Sequence, residues 1–135
     1  MGGTLGQKRN KNGTKKDFVS WFEIPAINFQ QAVNFYSYIF NIEMEQVVTE
    51  ESATAFFPVT TGIGGAITFG FNNETSTSGP LLYLNGGDDL NKVLNKVEEA
   101  GGRVIMPKTL ISENAGYFGV FIDSQGNKLA LYSKK

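Results

Sequence analysis

Glu23 is the residue of this chain whose type and position best suit chemistry. It follows Trp21 by two positions in the apolar segment VSWFEIPAI, and a strand there would place Trp21, Glu23 and Pro25 on one face. A carboxylate beside an indole in a partly apolar setting can act as a general acid or base, because desolvation favours its protonated form. The alternative is a solvated carboxylate, or one paired with Lys108 or Lys128. Ligand binding that titrates only below about pH 5 would contradict the general-base role.

The amino-acid composition excludes several other kinds of chemistry. The chain of 135 residues contains no Cys and no His. It therefore has no disulfide, no thiol nucleophile, no thiolate metal site and no Ser-His-Asp triad. The Gly-rich segments GIGG and NGG are interpreted as turns, because neither matches a phosphate-binding fingerprint. With 41% hydrophobic and 13% aromatic residues, the chain can bury one core, so we expect one domain.

The elements that must position Glu23 occur twice along the chain. Each copy reads as a strand, an amphipathic helix and three further strands, which predicts an α+β fold of two βαβββ modules. The polar linker NNETSTSG separates module one, about residues 18–72, from module two, about residues 80–135. Residues 18–135 are therefore expected to form a single domain.

Each predicted helix begins at a capping residue and carries an apolar face. Asn28 precedes the first helix, in which the apolar positions are Ala32, Phe35, Tyr36 and Ile39. Asp89 precedes the second helix, which continues to Ala100 and ends at the glycine pair 101–102. The strands that follow are EMEQVVT, TAFFPV and GAITFGF in module one, and RVIMP, YFGVFID and NKLALYS in module two.

The charge distribution sets the N-terminal segment apart. Five of the 12 basic residues precede Asp17, whereas residues 17–135 contain all 13 acidic residues and carry a net charge of −6. Residues 1–17 are expected to be a disordered basic leader or an expression remnant. A basic tail could contact nucleic acid or anionic lipid, but the acidic remainder would repel phosphate, so we expect no nucleic-acid and no membrane partner. The lack of a long apolar run or a secretory signal predicts a cytoplasmic protein.

Two motifs mark the ends of the repeat. The first helix segment, FEIPAINFQQAVNFY, closes on FY, and the last hairpin, GYFGVFIDSQGNKLALYS, contains D-x-x-G-N. Together with LLYLNGGDDLNKVLNKVEEAGGRVIMPK, these segments resemble the vicinal oxygen chelate superfamily, which includes glyoxalase I, bleomycin-resistance proteins and extradiol dioxygenases. The resemblance covers residues 19–133. It implies a curved mixed sheet around a cleft, with the helices on the convex side.

The resemblance also implies where a metal would be held in this family. The first ligand position, usually His, falls on Trp21, and the family's Glu ligand falls on Ala130. Aligning the two copies adds Leu81 and Thr68 as the remaining positions. None of these is a good ligand for a divalent metal, so we expect no metal and no cofactor. The alternative is a different site for Mg²⁺ or Ca²⁺, built from Glu23, other carboxylates and water.

Strand alternation extends the expected lining of the cleft. The alignment of the copies pairs Glu23 with Tyr83 and Pro25 with Asn85, and it places Ala130 and Tyr132 on the cleft face of the last strand. The expected ligand-binding residues are Trp21, Thr68, Leu81, Tyr83, Asn85, Ala130 and Tyr132. Aromatic walls with a few polar groups suit a planar or amphipathic organic ligand. Ordinary packing or a subunit interface is the alternative for each ring, and a purely local turn contact is the alternative for Asn85.

Two function classes follow from the resemblance and the residues. The first is a metal-independent small-molecule-binding protein of the glyoxalase/bleomycin-resistance type, with a small organic ligand in the cleft. The second is a glyoxalase-like enzyme, related to lyases, isomerases or dioxygenases, that acts on a small carbonyl compound with Glu23 as the catalytic acid or base. Family behaviour and the exposed sheet edges also predict a homodimer, whose second subunit could complete the cleft.

Overall fold

The computed structural model describes residues 12–135 and folds them into the two predicted modules. Module one contains β1 (Trp21–Pro25), α1 (Phe29–Phe40), β2 (Glu45–Val48), β3 (Ala53–Phe56) and β4 (Gly64–Phe69). Module two contains β5 (Tyr83–Asn85), α2 (Asn91–Leu94), β6 (Arg103–Ser112), β7 (Gly116–Ile122) and β8 (Lys128–Ser133). The predicted α+β class and the βαβββ repeat are confirmed. Most of the predicted leader, residues 1–11, lies outside the described residues.

The two modules share one strand topology. Sheet one has the order β1-β4-β3-β2 and sheet two has the order β5-β8-β7-β6, with a single parallel pair at β1–β4 and at β5–β8. The strands thus form two four-stranded sheets rather than one continuous curved sheet. Both β1 and β5 are edge strands, and within residues 12–135 no backbone ladder joins them.

Helix α1 has the predicted cap and the predicted buried face. The Asn28 side chain accepts a hydrogen bond from the backbone N–H of Gln31 at 3.1 Å, and Asn41 ends the helix in the left-handed conformation. The buried residues of α1 are Ala32, Val33, Phe35, Tyr36 and Ile39. The helix therefore packs against the sheets with the face that its periodicity indicates.

Helix α2 is shorter than predicted. Regular α-helix ends at Leu94, and turns continue to Gly101. The backbone N–H groups of Lys96 and Val97 bond to carbonyls three residues earlier, which gives the tighter 3₁₀ pattern. The N-cap is Leu90 rather than the predicted Asp89, whose carboxylate accepts from the N–H of Asn91 at 3.0 Å just before the helix. The apolar face remains buried, so the segment packs as expected although its backbone is less regular.

The hairpin between β7 and β8 joins the modules. We call residues 123–127 the clasp. The Gln125 side-chain oxygen accepts from the backbone N–H groups of Ile27 and Asn28, at 2.9 and 2.7 Å. The Asn127 amide donates to the carbonyl of Pro25 at 2.8 Å. The turn of module two therefore satisfies the backbone between β1 and α1 of module one, where that backbone leaves the strand.

Asp123 lies at the centre of the clasp and is buried. One carboxylate oxygen accepts from the N–H groups of Gln125 and Asn127, and the other accepts from the Asn127 amide and from the Tyr36 hydroxyl at 2.7 Å. Tyr36 is itself buried on α1. Burial, and then the charge and hydrogen bond of Asp123, raise the pKa of Tyr36 well above its ordinary value of 10.0.

No helix within residues 12–135 is long and apolar enough to cross a membrane.

Replacing Tyr36 with Phe should remove a buried donor from Asp123 and lower the free energy of unfolding by about 1–3 kcal/mol. Above pH 10 the unfolded chain releases the Tyr36 proton while the folded chain retains it, so the contribution of this tyrosine is complete below pH 10 and falls at higher pH. The difference between wild type and variant should therefore shrink from pH 7 to alkaline pH. Urea unfolding at several pH values measures it.

Tyr38→Phe is the matched control for this prediction. Tyr38 is exposed and donates to Glu99 at the surface, so its loss should lower the free energy of unfolding much less than the loss of the Tyr36 hydroxyl does at neutral pH. Equal destabilisation by the two substitutions would contradict the role given to the Tyr36–Asp123 bond.

Candidate functional site

The alternation predicted for β1 is confirmed. Trp21 and Glu23 are exposed and Pro25 is half-buried, whereas Phe22 and Ile24 contribute to the core. We call the sheet face that carries Trp21 and Glu23, opposite the core, the open face. The register of β1 with β4 adds Gly64, Ala66 and Thr68 to the open face of sheet one.

Glu23 interacts with uncharged neighbours. Its carboxylate accepts from the Trp21 indole at 3.2 Å and from the Asn73 amide at 3.4 Å. The alternative pairing with Lys108 is wrong. Lys108 bonds Asp89 at 2.9 Å, the one ion pair found within residues 12–135, and this bond is the main cause of the lowered pKa of Asp89. Glu23 lies in an open surface depression of about 490 Å³ that also includes Glu74.

The four positions of the family's metal ligands do not form one accessible site. Trp21 and Leu81 are 45% and 36% exposed, but Thr68 and Ala130 are only 2% and 0% exposed. The Thr68 hydroxyl is buried, and no partner for it is found in the described part of the chain. The expected cleft lining is therefore corrected at Thr68 and Ala130, because neighbouring side chains cover both.

The strand registers also correct one step of the repeat alignment. In module two, Ala130 lies opposite Tyr83. In module one, the residue opposite Glu23, the counterpart of Tyr83, is Ala66. Thr68 lies two positions further along, opposite Pro25. Ala66 is thus the structural counterpart of Ala130; both alignments keep the same face, so the strand pattern alone did not distinguish them.

The aromatic and amide residues predicted in module two have separate environments. The exposed ring of Tyr83 packs 6.4 Å from that of Phe118. The Tyr132 hydroxyl donates to the carbonyl of Ala115 at 2.5 Å, which binds it within the sheet. The Asn85 side-chain oxygen accepts from the N–H of Gly87 at 2.9 Å, which is the local turn contact given above as the alternative for this residue. Trp21 and Tyr83 do not line a common cavity.

A larger cavity lies where the two modules meet. We call it the crevice; its volume is about 610 Å³, and it is lined by Phe22 of β1 and by Leu82, Leu84 and Asn85 around β5. Of the predicted ligand-binding residues, Tyr83 and Asn85 contact it. Sequence reasoning misses its other walls because strand alternation puts Phe22 on the core side of β1, opposite Trp21 and Glu23, and gives no signal that this side remains partly uncovered.

Three phenylalanines form the aromatic wall of the crevice. Phe57 lies 5.5 Å from Phe22 and 6.4 Å from Phe40 between ring centroids, the latter pair at 89°. All three rings are half-buried. The Phe40–Phe57 pair is edge-to-face and the Phe22–Phe57 pair is tilted by 44°, so the three rings pack against one another and form a continuous, preformed wall.

The glycines of GIGG make room for this wall. Gly65 lies opposite Phe22 on β4, and a Cβ at this position would be 2.3 Å from the Phe22 ring. Gly64 lies opposite Trp21 and would meet its indole at 3.1 Å. Both residues belong to a strand, so the interpretation of this segment as a turn is corrected for them. They allow aromatic rings to lie flat against each face of β4.

Residues 19–131 match a family model, the Glyoxalase/Bleomycin resistance protein/Dioxygenase superfamily. The chain belongs to this superfamily. No curated protein matches the chain.

Solved structures of the superfamily share the fold at low sequence identity. The chain is similar to a mutant of glyoxalase I from Zea mays, with a TM-score of 0.68, 12% identity, and coverage of 85% of this chain and 45% of that one. It thus spans about half the length of the maize enzyme. TnmS3, an antibiotic binding protein from a Streptomyces species, aligns with a TM-score of 0.63 and 20% identity over 88% of this chain and 97% of its own. A glyoxalase/bleomycin resistance protein/dioxygenase family enzyme from Burkholderia phytofirmans aligns with a TM-score of 0.60 and 19% identity, over 86% of this chain and 98% of its own.

The residues present do not fit the metal that the resemblance to this superfamily implies. The sequence supplies neither His nor Cys. Trp21, Leu81 and Ala130 offer no ligand atom, and the hydroxyl of Thr68 is buried. Within residues 12–135, no group of three or more His, Cys, Asp or Glu side chains lies close enough to hold an ion. No chemistry of this chain is therefore assigned to a bound metal.

We expect isothermal titration with Zn²⁺ or Ni²⁺ to show no saturable binding at micromolar concentration. The physical reason is that imidazole and thiolate ligands are absent and the carboxylates are dispersed. Protein freed of metal with EDTA should have the same thermal midpoint before and after addition of either ion. One equivalent of tightly held ion after dialysis would show that a different ligand set exists.

Proposed function

We propose that this protein binds a small organic molecule in the crevice without the help of a metal. The observation that supports the proposal is the preformed aromatic wall of Phe22, Phe40 and Phe57, which remains half-exposed inside a concave space of about 610 Å³. Ligand pockets typically have volumes of about 300–1,000 Å³ and mainly apolar linings. A ligand that covers these rings would remove apolar surface from water, which is favourable.

The superfamily membership agrees with this proposal. TnmS3, whose fold the chain shares, is an antibiotic binding protein. At 20% identity the likeness shows the fold alone, so the ligand of the present chain is argued from its own crevice. The proposed site lies where the two modules meet.

Catalysis at Glu23 is the second candidate function. The observation in its favour is that the carboxylate is exposed in an open depression and is held by Trp21 and Asn73, so a carbonyl compound could reach it. Against it, the carboxylate already has two hydrogen-bond partners, Trp21 and Asn73, and it does not line the crevice. We therefore place ligand binding first.

A neutral solvatochromic dye tests the proposed function directly. Nile red should bind with a saturable increase in fluorescence that EDTA does not change. Val59 lines the crevice and is 55% exposed, so Val59→Glu should fold normally and weaken binding at least about tenfold, because it adds a carboxylate to an apolar lining. Fluorescence titration measures the dissociation constants.

Ile27→Glu provides the matched control for the dye. Ile27 is 69% exposed and does not line the crevice, so the same change there should leave Nile red binding within about twofold of wild type. Absence of saturable binding, or equal losses in the two variants, would overturn the proposed site.

We also propose that the chain forms a homodimer. Support comes from the exposed apolar side chains on the outer edge strands: Val47 and Val48 on β2, and Leu110 and Ile111 on β6. Edge strands with exposed apolar residues are prone to association.

Sedimentation equilibrium at micromolar concentration should give twice the chain mass of 14.8 kDa. Val48→Lys or Ile111→Lys should shift the equilibrium towards monomer, because each adds a charge to an apolar edge. A monomer at all concentrations in the wild type would refute the dimer.

A further inference from the structure

We infer that the crevice selects an uncharged aromatic ligand carrying a hydrogen-bond acceptor, and that Asn85 orients this acceptor. The inference rests on the proposed function and narrows the class of ligand. Three features of the crevice carry it: an uncharged lining, a wall of packed aromatic rings, and one side-chain amide whose donor is free while its acceptor is engaged.

The lining carries no ionic group. Among the described residues that line the crevice, none is Asp, Glu, Lys or Arg. The residues with polar side chains in the lining are Tyr83 and Asn85. A charged ligand would exchange its hydration for hydrocarbon and aromatic surface without meeting a counter-ion, which disfavours binding of either sign. An uncharged ligand does not incur this penalty.

The wall favours a flat ligand. Phe22 and Phe57 are tilted by 44°, and Phe40 stands at 89° to Phe57, so ring faces and edges both border the space. Offset stacking and edge-to-face contacts are the arrangements that aromatic rings prefer. Leu82 and Leu84 close the opposite side from module two. A fused aromatic system between these walls would contact both modules.

Asn85 supplies a donor with a defined orientation. Because its side-chain oxygen accepts from the N–H of Gly87 at 2.9 Å, its NH₂ group is the part left to face a ligand. The neighbouring backbone groups are engaged: the N–H of Gly86 donates to Tyr132, and the carbonyl of Leu82 accepts from Ala130. Asn85 therefore offers a hydrogen-bond donor, which selects a ligand carbonyl or ether oxygen.

Four naphthalenes of similar shape test separately how the charge of the ligand and its hydrogen-bond acceptor affect binding. The probes are methyl naphthyl ketone, ethylnaphthalene, naphthoate and naphthylmethylammonium, all substituted at the same ring position, in competition with Nile red. The ketone should bind best. Ethylnaphthalene should be weaker by roughly threefold to tenfold, the effect of one hydrogen bond. Both ions should be weaker than the ketone by at least about tenfold.

The Asn85→Asp variant removes the NH₂ donor and keeps the side-chain oxygen that accepts a hydrogen bond in the local turn. The aspartate retains an acceptor for the N–H of Gly87 but loses the NH₂ donor and adds a negative charge. The variant should abolish the preference for the ketone over ethylnaphthalene and should favour naphthylmethylammonium over naphthoate. Asn73→Asp, which adds the same charge at the Glu23 depression, should retain the wild-type order of the probes.

The results test separately the charge of the ligand, the role of Asn85 and the proposed function. Saturable Nile red binding with naphthoate or naphthylmethylammonium as strong as the ketone overturns the uncharged-ligand inference and leaves the proposed function intact. An unchanged preference for the ketone in Asn85→Asp overturns the role of Asn85. If neither Nile red nor any naphthalene binds, the proposed function itself fails.

Discussion

The buried carboxylate of Asp123 is the interaction on which the joined structure depends. It receives four hydrogen bonds, three from its own hairpin and one from Tyr36 on the helix of the other module. A buried charge is tolerated only when it is fully satisfied in this way. The hairpin it organises then bonds the backbone at Pro25, Ile27 and Asn28. Module two thereby holds the strand that presents Phe22 and Trp21.

Much of this architecture could be predicted because it follows from local patterns. Strand alternation placed Trp21 and Glu23 opposite Ile24, and helical spacing identified the buried face of α1. Asn28 and the D-x-x-G-N hairpin were recognisable because helix capping and hairpin turns depend on neighbouring residues in the sequence. The register of β4 against β1 could not be predicted in this way. A shift of two residues, from Ala66 to Thr68, keeps every side chain on the same face of the sheet, so the alternation pattern is unchanged.

The candidate site was harder to predict because it depends on aromatic rings that the core leaves partly exposed. Phe22, Phe40 and Phe57 belong to the apolar set that any core requires, and their type and spacing do not reveal that they remain half-exposed. Their partial exposure arises from how the two modules are placed relative to each other, which depends on contacts between residues far apart in the sequence. Conversely, Thr68 and Ala130 were assigned to a cleft that neighbouring side chains cover. The chain thus has the fold of the superfamily, while two of the four positions inferred for metal ligands, Thr68 and Ala130, are buried.

The missing ladder between β1 and β5 has a mechanical consequence. Two sheets that share no backbone hydrogen bonds can change their separation without breaking any, provided that the contacts at the clasp persist. The crevice between them is therefore bounded by side chains that both modules contribute. Its width is set by packing rather than by the strand spacing of a continuous sheet. The spacing of the two sheets therefore depends on side chains that pack across the common core, such as Phe35 and Phe121, whose ring centroids are 6.1 Å apart.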